Sequence, residues 1–591
     1  MGDNTMDQAH DPAKRFDRKR FLRIGGIGAA ASIVAPAATA HAAPAAPEST
    51  LVFNVKDFGA RGDGSFDDTP GIAAAVKAAA GGGTVYFPPG DFQVKGEILI
   101  QADNIVLRGA GWASRLTQTD TGVAGKAILR FANATGVAVR ELSFTGRGTE
   151  HVVLDGNRKY NGVAAVRFDK CTNVTVSGCR IARHAGGGIR WTGSLRGALF
   201  ADNTITGIGI ANGSDPGPIG AKDNNNDFAI GQWESSPNDN IVIRGNTISG
   251  HCFGIGSGHG NGLVISDNVI HDIPGQHGMY LSAPGGAQIS GNVIRKVALN
   301  CVNVQIASSV QEDVSSLVVS DNVLYDAAAG VVLNIASEVP KAGFRQPVIV
   351  GNSVRAVREY GIAVNRTWNG SIIGNTVSGT GAYGLLLNGF SGTVRDNTVQ
   401  NTNWNGLYVD LIGDTYSSDN VFTDCAMNTT NATAADRLAF YVNAVKTDPE
   451  ITPQPVLHSD SDLLHAASPE PSTLRKCLHS SAGTGVFLRG LVNRTSKPWE
   501  FKGELLHLDF AYSRTADFSD SAHLFPSTPV HGRGRRELYG LRDPKTAGMA
   551  GSFQPGDTCW HARPTAGGTP GWICVAAGEP GEWKAMAPLA V

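Results

Sequence analysis

The sequence predicts an all-β protein: a right-handed parallel β-helix with an N-terminal capping helix and a small C-terminal β-rich module. Two observations carry this prediction. Glycine makes up 74 of the 591 residues, and glycine is unfavourable in helix interiors. From residue 179 onward one frame recurs, in which β-branched residues and a turn precede an asparagine. The right-handedness follows from the general rule for parallel crossover connections.

The recurring asparagines set the length of the predicted coil. Their successive spacings are 43, 22, 24, 30, 30, 23, 22 and 23 residues. A spacing of 22 to 24 residues suits one coil of a three-sided solenoid. The long step holds an insertion, Asn212 to Asn226. Stacked amides can hydrogen-bond along the solenoid axis. The residues of this file are Asn203, Asn246, Asn268, Asn292, Asn322, Asn352, Asn375, Asn397 and Asn420.

The charge balance gives no indication of nucleic-acid binding, and shifts in composition divide the chain into regions. The 50 Lys and Arg nearly cancel the 52 Asp and Glu, for a net charge of −2, so nothing indicates nucleic-acid binding. We predict a β-helix catalytic domain at 51–430, an unassigned region at 431–545 and a Trp- and Gly-rich module at 546–591. The eight cysteines are too few for a disulfide scaffold, although Cys559 and Cys574 are candidates for one bridge.

The first 42 residues are predicted to be an export signal. Arg18, Lys19 and Arg20 precede a Gly- and Ala-rich apolar stretch, which resembles a twin-arginine signal with Lys19 in place of the second arginine. Cleavage after Ala42 would fit the small-residue rule. We therefore expect a periplasmic or secreted protein that has no membrane segment after cleavage.

A cap is expected before the first coil. The sequence predicts a first strand, a loop at Asp63–Thr69 and a helix from about Pro70 to Ala80, with Asp68 or Thr69 as N-cap. Asp67 and Asp68 are expected to shape this cap and not to catalyse a reaction.

The cap also carries a family resemblance. The segments from Asn54 to Ala60 and from Phe87 to Gly90 resemble the N-terminal module of the pectate-lyase-like superfamily, which includes polygalacturonase and rhamnogalacturonase relatives and polysaccharide lyases. The resemblance implies a parallel β-helix, a carbohydrate-active enzyme and a polysaccharide substrate.

Aligning the coils on their Gly–apolar segments gives a candidate site. The alignment places Asp227, His251 and His277 in one column beside the insertion, because neighbouring coils lie about 4.8 Å apart. The outward position of the strand then contains Arg190, Ala229, Gly254, Tyr280 and Asn303. The small residues in this file are expected to leave room for a substrate.

The favoured chemistry is that of a lyase or C5-epimerase acting on a uronate polymer. Such an enzyme removes the proton α to a carboxylate, and it needs a base and a group that neutralises the carboxylate. His251 or His277 is the candidate base, Tyr280 the acid and Arg190 the neutralising group. Calcium, which prefers oxygen ligands, is expected to bind through Asp223, Asp227 and Glu234. Further substrate contacts are assigned to Asn300, Asn303, Glu234, His259 and Trp191.

Two alternatives stay open at this point. The coils around Asp227 and His251 also resemble those of polygalacturonase-type inverting hydrolases, which implies Asp227 as acid or base and His251 as its orienting partner. Asn226 and Cys252 depart from that pattern. A non-catalytic glycan-binding solenoid would use the same surface without a proton-transfer pair. The sequence also leaves a homo-oligomer open.

Overall fold

The fold was analysed on a computed structural model. The structure describes residues 51–119, 126–148, 153–155, 158–160, 164–184, 186–209, 228–232, 237–258, 260–282, 284–307, 312–336, 342–425, 440–444, 456–460, 462–465, 478–480, 485–489, 492–493, 499–501, 505–509, 512–513, 516–518, 524–526, 537–540, 542–546, 553–561, 563–579 and 581–590. The predicted export signal therefore lies outside the described residues.

The described chain is almost entirely β-structure and divides into two compact units between Glu359 and Tyr360. Both units consist of parallel strands that pair from one coil to the next, which confirms the predicted parallel β-helix. The boundary predicted at residue 430 does not coincide with this division. The two units are described separately below.

The first unit begins with the cap. A strand at Val52–Asn54 leads into a 3₁₀ turn at Val55–Phe58, and the helix α1 spans Thr69–Ala78. Gly71 of α1 lies so close to the turn that an added Cβ would be 2.4 Å from the Ala60 backbone nitrogen. Among the described residues, no helix is long and apolar enough to cross a membrane.

Asp68 holds this cap together. It occupies the N-cap position of α1, but its carboxylate does not cap the helix. Instead it is fully buried and accepts hydrogen bonds from the backbone N–H groups of Arg61, Gly62 and Gln93. A buried carboxylate with three backbone donors is a satisfied structural group, which agrees with the expected role of Asp68 in the cap.

Each coil of the first unit contributes a strand to three stacks. Stack 1 contains Ile98–Ile100, Ala127–Ala132, Ala164–Asp169, Ile189–Thr192, Phe228–Gly231, Phe253–Ser257, Met279–Ser282, Asn300–Ile306 and Ala329–Ile335. Stack 2 contains Val52–Asn54, Gly83–Phe87, Ile105–Gly109, Thr135–Arg140, Thr172–Ser177, Arg196–Ala201, Asn238–Arg244, Gly260–Asn261, Val264–Ser266, Pro284–Gly285, Gln288–Ser290, Val314–Ser315, Val318–Ser320, Phe344–Arg345 and Val348–Val350. Stack 3 contains Asp63–Asp67, Gly90–Val94, Ser114–Gln118, Ser143–Thr145, Arg180–Ala182, Thr204–Thr206, Thr247–Ser249, Val269–Ile273, Val293–Val297, Val323–Ala327 and Ser353–Val357.

Two short elements of the first unit stand outside these stacks. Val153–Asp155 and Arg158–Tyr160 pair as an antiparallel hairpin, and Gly111–Ala113 is a 3₁₀ turn.

The second unit repeats the arrangement with longer strands. Ile362–Ile373, Leu385–Arg395 and Leu407–Ser418 pair in parallel, as do Thr376–Thr380, Thr398–Thr402 and Val421–Cys425. Parallel pairing continues beyond residue 430 through Phe440–Ala444, Val456–Asp460, Leu463–His465, Leu478–Ser480, Gly485–Arg489, Val492–Asn493, Trp499–Phe501, Leu505–Asp509, Tyr512–Ser513, Ala516–Phe518 and Leu524–Pro526. Much of the region left unassigned by the sequence therefore extends the coils.

The chain ends in a small module. Its strands are Glu537–Gly540, Thr558–His561, Gly571–Ala576 and Glu582–Ala585, and the last three pair antiparallel. Phe553, Cys559 and Cys574 form its core, against which Trp572 and Trp583 pack. The two thiols are both free, so the disulfide predicted as a candidate between them is not formed.

The predicted asparagine file is a buried hydrogen-bonded ladder. In the first unit, each Oδ1 from Asn246 to Asn352 accepts both the backbone N–H and the side-chain Nδ2–H of the asparagine one coil earlier, at 2.9–3.1 Å. In the second unit the same pattern joins Asn375, Asn397 and Asn420. There Asp462 takes the next position and accepts the Asn420 backbone N–H.

Removing one amide from the ladder is expected to destabilise the first unit strongly. In an Asn292→Leu variant, the backbone N–H of Asn268 loses its acceptor, whereas Asn268 Nδ2 keeps the carbonyl oxygens of Ile243 and Ser266. One unsatisfied buried donor costs about 1–3 kcal/mol. We expect a clearly lower urea midpoint for Asn292→Leu, whereas the control Asn261→Leu, at an exposed asparagine, should change it little. Equal midpoints for the two variants would contradict the role of the ladder.

Candidate functional site

The outward side chains of stack 1 form a continuous file across seven coils. Strand pairing aligns Arg130 with Arg167, Arg190, Gly231, Gly256, Tyr280 and Asn303 in that order. Six steps of about 4.8 Å give the file a length of roughly 29 Å. Arg190, Tyr280 and Asn303 thus share one file, as the sequence alignment of the coils predicted. We call these seven residues the stack 1 file.

Two members of the predicted file were wrong. Ala229 and Gly254 are replaced in the stack 1 file by Gly231 and Gly256, because Ile189 pairs with Ile230, and Ile230 with Ile255. Gly254 instead faces the interior, where an added Cβ would lie 2.8 Å from Cγ2 of Ile270 in stack 3.

The glycines of the stack 1 file do not open a trough for substrate. A Cβ on Gly256 would lie 2.3 Å from Cε1 of Phe228, and one on Gly231 would lie 2.4 Å from the carbonyl oxygen of Gly256. Glycine is therefore needed here because a ring and a neighbouring strand occupy the space. The expected open space between the titratable residues is filled by protein.

The arginine end of the file is held by acidic partners. Asp169 accepts hydrogen bonds from Nε of Arg130 at 2.5 Å and from Nε of Arg167 at 2.8 Å, and also from the Thr192 hydroxyl. Burial acts to raise the pKa of Asp169, but these hydrogen bonds outweigh it and hold the pKa below its usual value. Asp169 therefore stays ionised and orients the guanidinium groups.

Two acidic side chains of the described residues contact the arginine end. Asp169 contacts Arg130 and Arg167, and Glu97 lies 3.4 Å from Arg130. Arg190 anchors its own guanidinium on the Gly186 carbonyl oxygen at 3.2 Å. Arginine side chains bind carboxylates with two parallel hydrogen bonds, so this end of the file can take an anionic polymer.

Sequence reasoning missed Arg130 and Arg167. The signal was present, since each of the three coils contains an aliphatic residue, an arginine and an aromatic residue in sequence, at 129–131, 166–168 and 189–191. The coil alignment began only at residue 188 and therefore took in Arg190 alone.

The other end of the file adjoins a buried aromatic cluster. Phe228, Cys252, Phe253 and Tyr280 form a hydrophobic cluster of their own. The Phe228 and Phe253 rings stack at 4.6 Å, and the His277 ring lies 6.2 Å from Phe253 and 5.4 Å from Tyr280. Phe228 and Phe253 thus cover the sheet beside Tyr280.

His277 is a neutral side chain that accepts a hydrogen bond beside this cluster. Burial lowers its pKa to about 3, so the ring is neutral at neutral pH. Its Nδ1 accepts the backbone N–H of Asn300 at 3.2 Å, and the proton of the neutral ring is therefore on Nε2. Nδ1 is thus engaged by the Asn300 N–H, and the role of His277 as a base stays a prediction from the sequence.

Tyr280 is a protonated phenol at neutral pH. Its side chain is 6% exposed, and burial raises its pKa. The hydroxyl donates to Oε1 of Gln305 at 3.0 Å. Next to it, Asn300 Nδ2 donates to Asn303 Oδ1 at 3.0 Å. The predicted residues Tyr280, Asn300 and Asn303 are thus brought together, and Gln305 joins them.

His251 does not share the column of His277. Ile255 pairs with Met279, so the coil partner of His277 is Phe253 and not His251. The His251 ring is fully buried, and an added Cβ on Gly207 would lie 2.8 Å from its Cγ. His184 is likewise fully buried at the same place in an earlier coil, so this coil position serves packing.

Trp191 is a core residue and cannot contact substrate. It aligns with Phe131 and Phe168 on the inward side of stack 1 and stacks on Phe200 at 5.6 Å. Its side chain is completely buried. The predicted substrate contact at this position is therefore wrong, because residues alternate between faces along a strand.

Four predicted site residues lie outside the described residues: Asp223, Asp227, Glu234 and His259. Within the described part of the chain, no three His, Cys, Asp or Glu side chains are grouped closely enough to hold a metal ion. Calcium binding through Asp223, Asp227 and Glu234 therefore stays a prediction from the sequence.

The buried neutral His277 should make stability depend on pH. A histidine with a pKa near 3 when folded and near 6.5 when unfolded favours the unfolded state as the pH falls below about 6.5. The resulting loss is on the order of 2 kcal/mol between about pH 7 and pH 5. In His277→Asn the amide oxygen can still accept the Asn300 N–H, and its urea midpoint should fall less over this range than that of the wild type. Parallel curves for the two proteins would contradict a buried neutral His277.

Two family models match parts of the sequence. Residues 52–280 match the family model described as rhamnogalacturonase A/epimerase, pectate lyase-like. Residues 276–451 match the model described as periplasmic copper-binding protein (NosD). The first of these matches includes most of the stack 1 file.

Individual relatives match over shorter stretches. The mannuronan C5-epimerase AlgE6 of Azotobacter vinelandii is 36% identical over 153 residues, which is 23% of this chain and 17% of the relative. Alginate lyase 7 of the same organism is 37% identical over 116 residues, 18% of this chain and 13% of the relative. The chain thus spans less than a fifth of the length of these two relatives.

Among solved structures, PfbA, a surface adhesin of Streptococcus pneumoniae, aligns at 14% identity with a TM-score of 0.46, over 64% of this chain and 91% of that one. In sequence, the stretch 52–280 is similar to the pectate-lyase-like family model, which supports the family resemblance noted in the cap for this part of the protein.

Proposed function

We propose that this protein is an exported carbohydrate-active enzyme that cleaves or epimerises a uronate-containing polysaccharide by lyase or C5-epimerase chemistry. The observation that carries the proposal is the stack 1 file, in which three arginines in consecutive coils lead towards Tyr280 and Asn303. The short matches to an epimerase and an alginate lyase support the same chemistry.

The arginines would bind and neutralise the uronate carboxylates. Removing the proton α to a carboxylate places further negative charge on that group, and positioned cationic donors stabilise this charge. Arg190 is the arginine of the file nearest to Tyr280 along the stack, three coils removed from it, with Gly231 and Gly256 between them. Arg130 and Arg167, which Asp169 holds in place, would bind neighbouring units of the same polymer.

Tyr280 would donate the proton. Because burial raises its pKa, the phenol keeps its proton until the reacting group becomes more basic, as a general acid must. In a lyase it would protonate the leaving oxygen, and in an epimerase it would return a proton to C5. Its hydrogen bond to Gln305 fixes the direction of the hydroxyl.

The proton acceptor is assigned to Asp227. His277 has its ring proton on the nitrogen that does not face Asn300, and His251 is buried in a packing position. Among the predicted acid–base residues this leaves Asp227, one residue before the strand Phe228–Gly231.

The proposed reaction is tested with a panel of acidic polysaccharides. Formation of unsaturated uronate is followed by ultraviolet absorbance, reducing ends are counted in parallel, and epimer content is measured by NMR. Tyr280→Phe should lower the turnover at least hundredfold, since a general acid contributes about 10²–10⁴-fold. The control Tyr325→Phe, in stack 3 beneath Arg355, should retain activity.

Reducing ends without absorbance or epimerisation would instead indicate hydrolysis. Unchanged turnover in Tyr280→Phe would contradict the role of Tyr280.

Export rests on the first 42 residues together with the family model described as periplasmic. We expect the protein recovered from the periplasm or the medium of a twin-arginine-competent bacterium to begin at Ala43, as mass spectrometry of the intact protein would show. Replacing Arg18 and Arg20 with lysine should retain the uncleaved chain in the cytoplasm. Unchanged processing of this variant would contradict twin-arginine export.

A further inference from the structure

A polar groove lies on stack 2 of the first unit, among the first coils. It has a volume of about 700 Å³, which is within the range of sites for small organic ligands. Pairing of the strands aligns three of its lining residues, Tyr86, Arg108 and Arg140, in adjacent coils. The stack 1 file contains none of these residues, so this groove is separate from the proposed catalytic surface.

Trp112 forms an exposed aromatic wall of the groove. It belongs to the 3₁₀ turn Gly111–Ala113 and is 52% exposed. Its indole Nε1–H donates to the Gly178 carbonyl oxygen at 3.1 Å, and the Arg180 guanidinium lies 5.7 Å from the ring centroid. Because this hydrogen bond orients the indole ring and the ring is half exposed, Trp112 presents a flat apolar surface to a ligand.

The groove is basic although the protein as a whole is slightly acidic. Its charged lining residues are Arg108, Arg140 and Glu141, which gives one net positive charge against −2 for the whole chain. Glu141 accepts from Nε of Arg108 at 2.9 Å and so orients that side chain. Arg108 and Arg140 are one coil apart, about 4.8 Å along the stack, and a single carboxylate can accept from both.

These features together fit an acidic sugar. A flat apolar ring suits the face of a pyranose, and paired guanidinium groups suit its carboxylate. Thr84 and Tyr86 add hydroxyl groups to the lining, which can bond to sugar hydroxyls. We propose that this groove is a second, non-catalytic binding site for a uronate unit of an acidic polysaccharide, with the sugar on Trp112 and its carboxylate on Arg108 and Arg140.

The proposal goes beyond the proposed function, because it requires no chemistry at Tyr280. Such a site would hold a polymer on the protein while another segment of the chain is free to reach the stack 1 file. Two sites on one polymer raise the effective concentration of the second segment.

Direct binding tests this site without any readout of turnover. Full-length protein carrying Tyr280→Phe is titrated calorimetrically with mannuronate oligosaccharides, and with a neutral glucan of equal length as the ligand control. Because the arginines of the stack 1 file would also bind uronates, the isotherm is fitted to two sites, and the groove is the site that responds to substitutions at Trp112 and Arg140. Trp112→Ala and Arg140→Gln should each weaken uronate binding at least tenfold, and added salt should weaken it further. The matched control is Arg244→Gln, an exposed arginine in the same outward file of stack 2 but three coils away, and its affinity should not change.

Two results would overturn the proposal. Unchanged affinity in both groove variants would show that the groove is not a uronate site, and equal binding of the neutral glucan would remove the role of the arginines. Trp112→Phe keeps an aromatic face and should bind better than Trp112→Ala, which separates stacking from general damage. Because turnover is not measured, these results hold whether or not the proposed catalysis at Tyr280 is correct.

Discussion

The buried asparagine ladder is the constraint on which the coils of the first unit depend from about residue 179 onward. Each amide from Asn203 to Asn322 donates to the next coil, and the receiving Oδ1 also accepts a backbone N–H. These polar groups are buried, so a coil displaced along the sequence would leave several of them without partners at a cost of about 1–3 kcal/mol each. The ladder therefore fixes which residue of one coil lies beside which residue of the next. The stretch of the stack 1 file from Arg190 to Asn303 lies in the coils that the ladder joins, whereas the basic groove lies in earlier coils that are aligned by strand pairing alone.

The positions of the ladder were readable from the sequence, and the register of the strands was only partly so. An asparagine that recurs once per coil predicts a ladder of stacked side-chain amides, and the sequence around Asp68 predicts the cap. The sequence does not show whether an apolar residue is buried in the core or in a cluster on the outside of the sheet. Phe228 and Phe253 lie in the outer cluster with Tyr280. An alignment that counts them as core residues therefore puts Ala229 and Gly254 in the outward file in place of Gly231 and Gly256. Trp191 was misassigned through the opposite error, since its ring points inward.

The chemistry of the site required the structure. No pattern in the sequence shows that His277 accepts a backbone N–H through Nδ1, yet this contact decides whether the ring can take or give a proton. Burial also decides the protonation state of Tyr280. It raises the pKa of the phenol, so the hydroxyl keeps its proton at neutral pH. The arginines differ, because their repeated aliphatic–arginine–aromatic triplets are visible in the sequence once the coils before residue 188 are aligned as well. The arginines can therefore be found from the sequence, whereas the protonation states of His277 and Tyr280 depend on how these side chains are packed.

The central claim is that the enzyme removes the proton α to a uronate carboxylate that the stack 1 file neutralises. The most direct measurement is the fate of the C5 hydrogen when a uronate polymer is incubated with the enzyme in D₂O and analysed by NMR. The account predicts that the C5 hydrogen is lost or replaced by deuterium with wild-type protein, and at least tenfold more slowly with Arg190→Gln, while Arg295→Gln on stack 3 behaves as wild type. Cleavage of the polymer with C5 hydrogen fully retained would contradict the account.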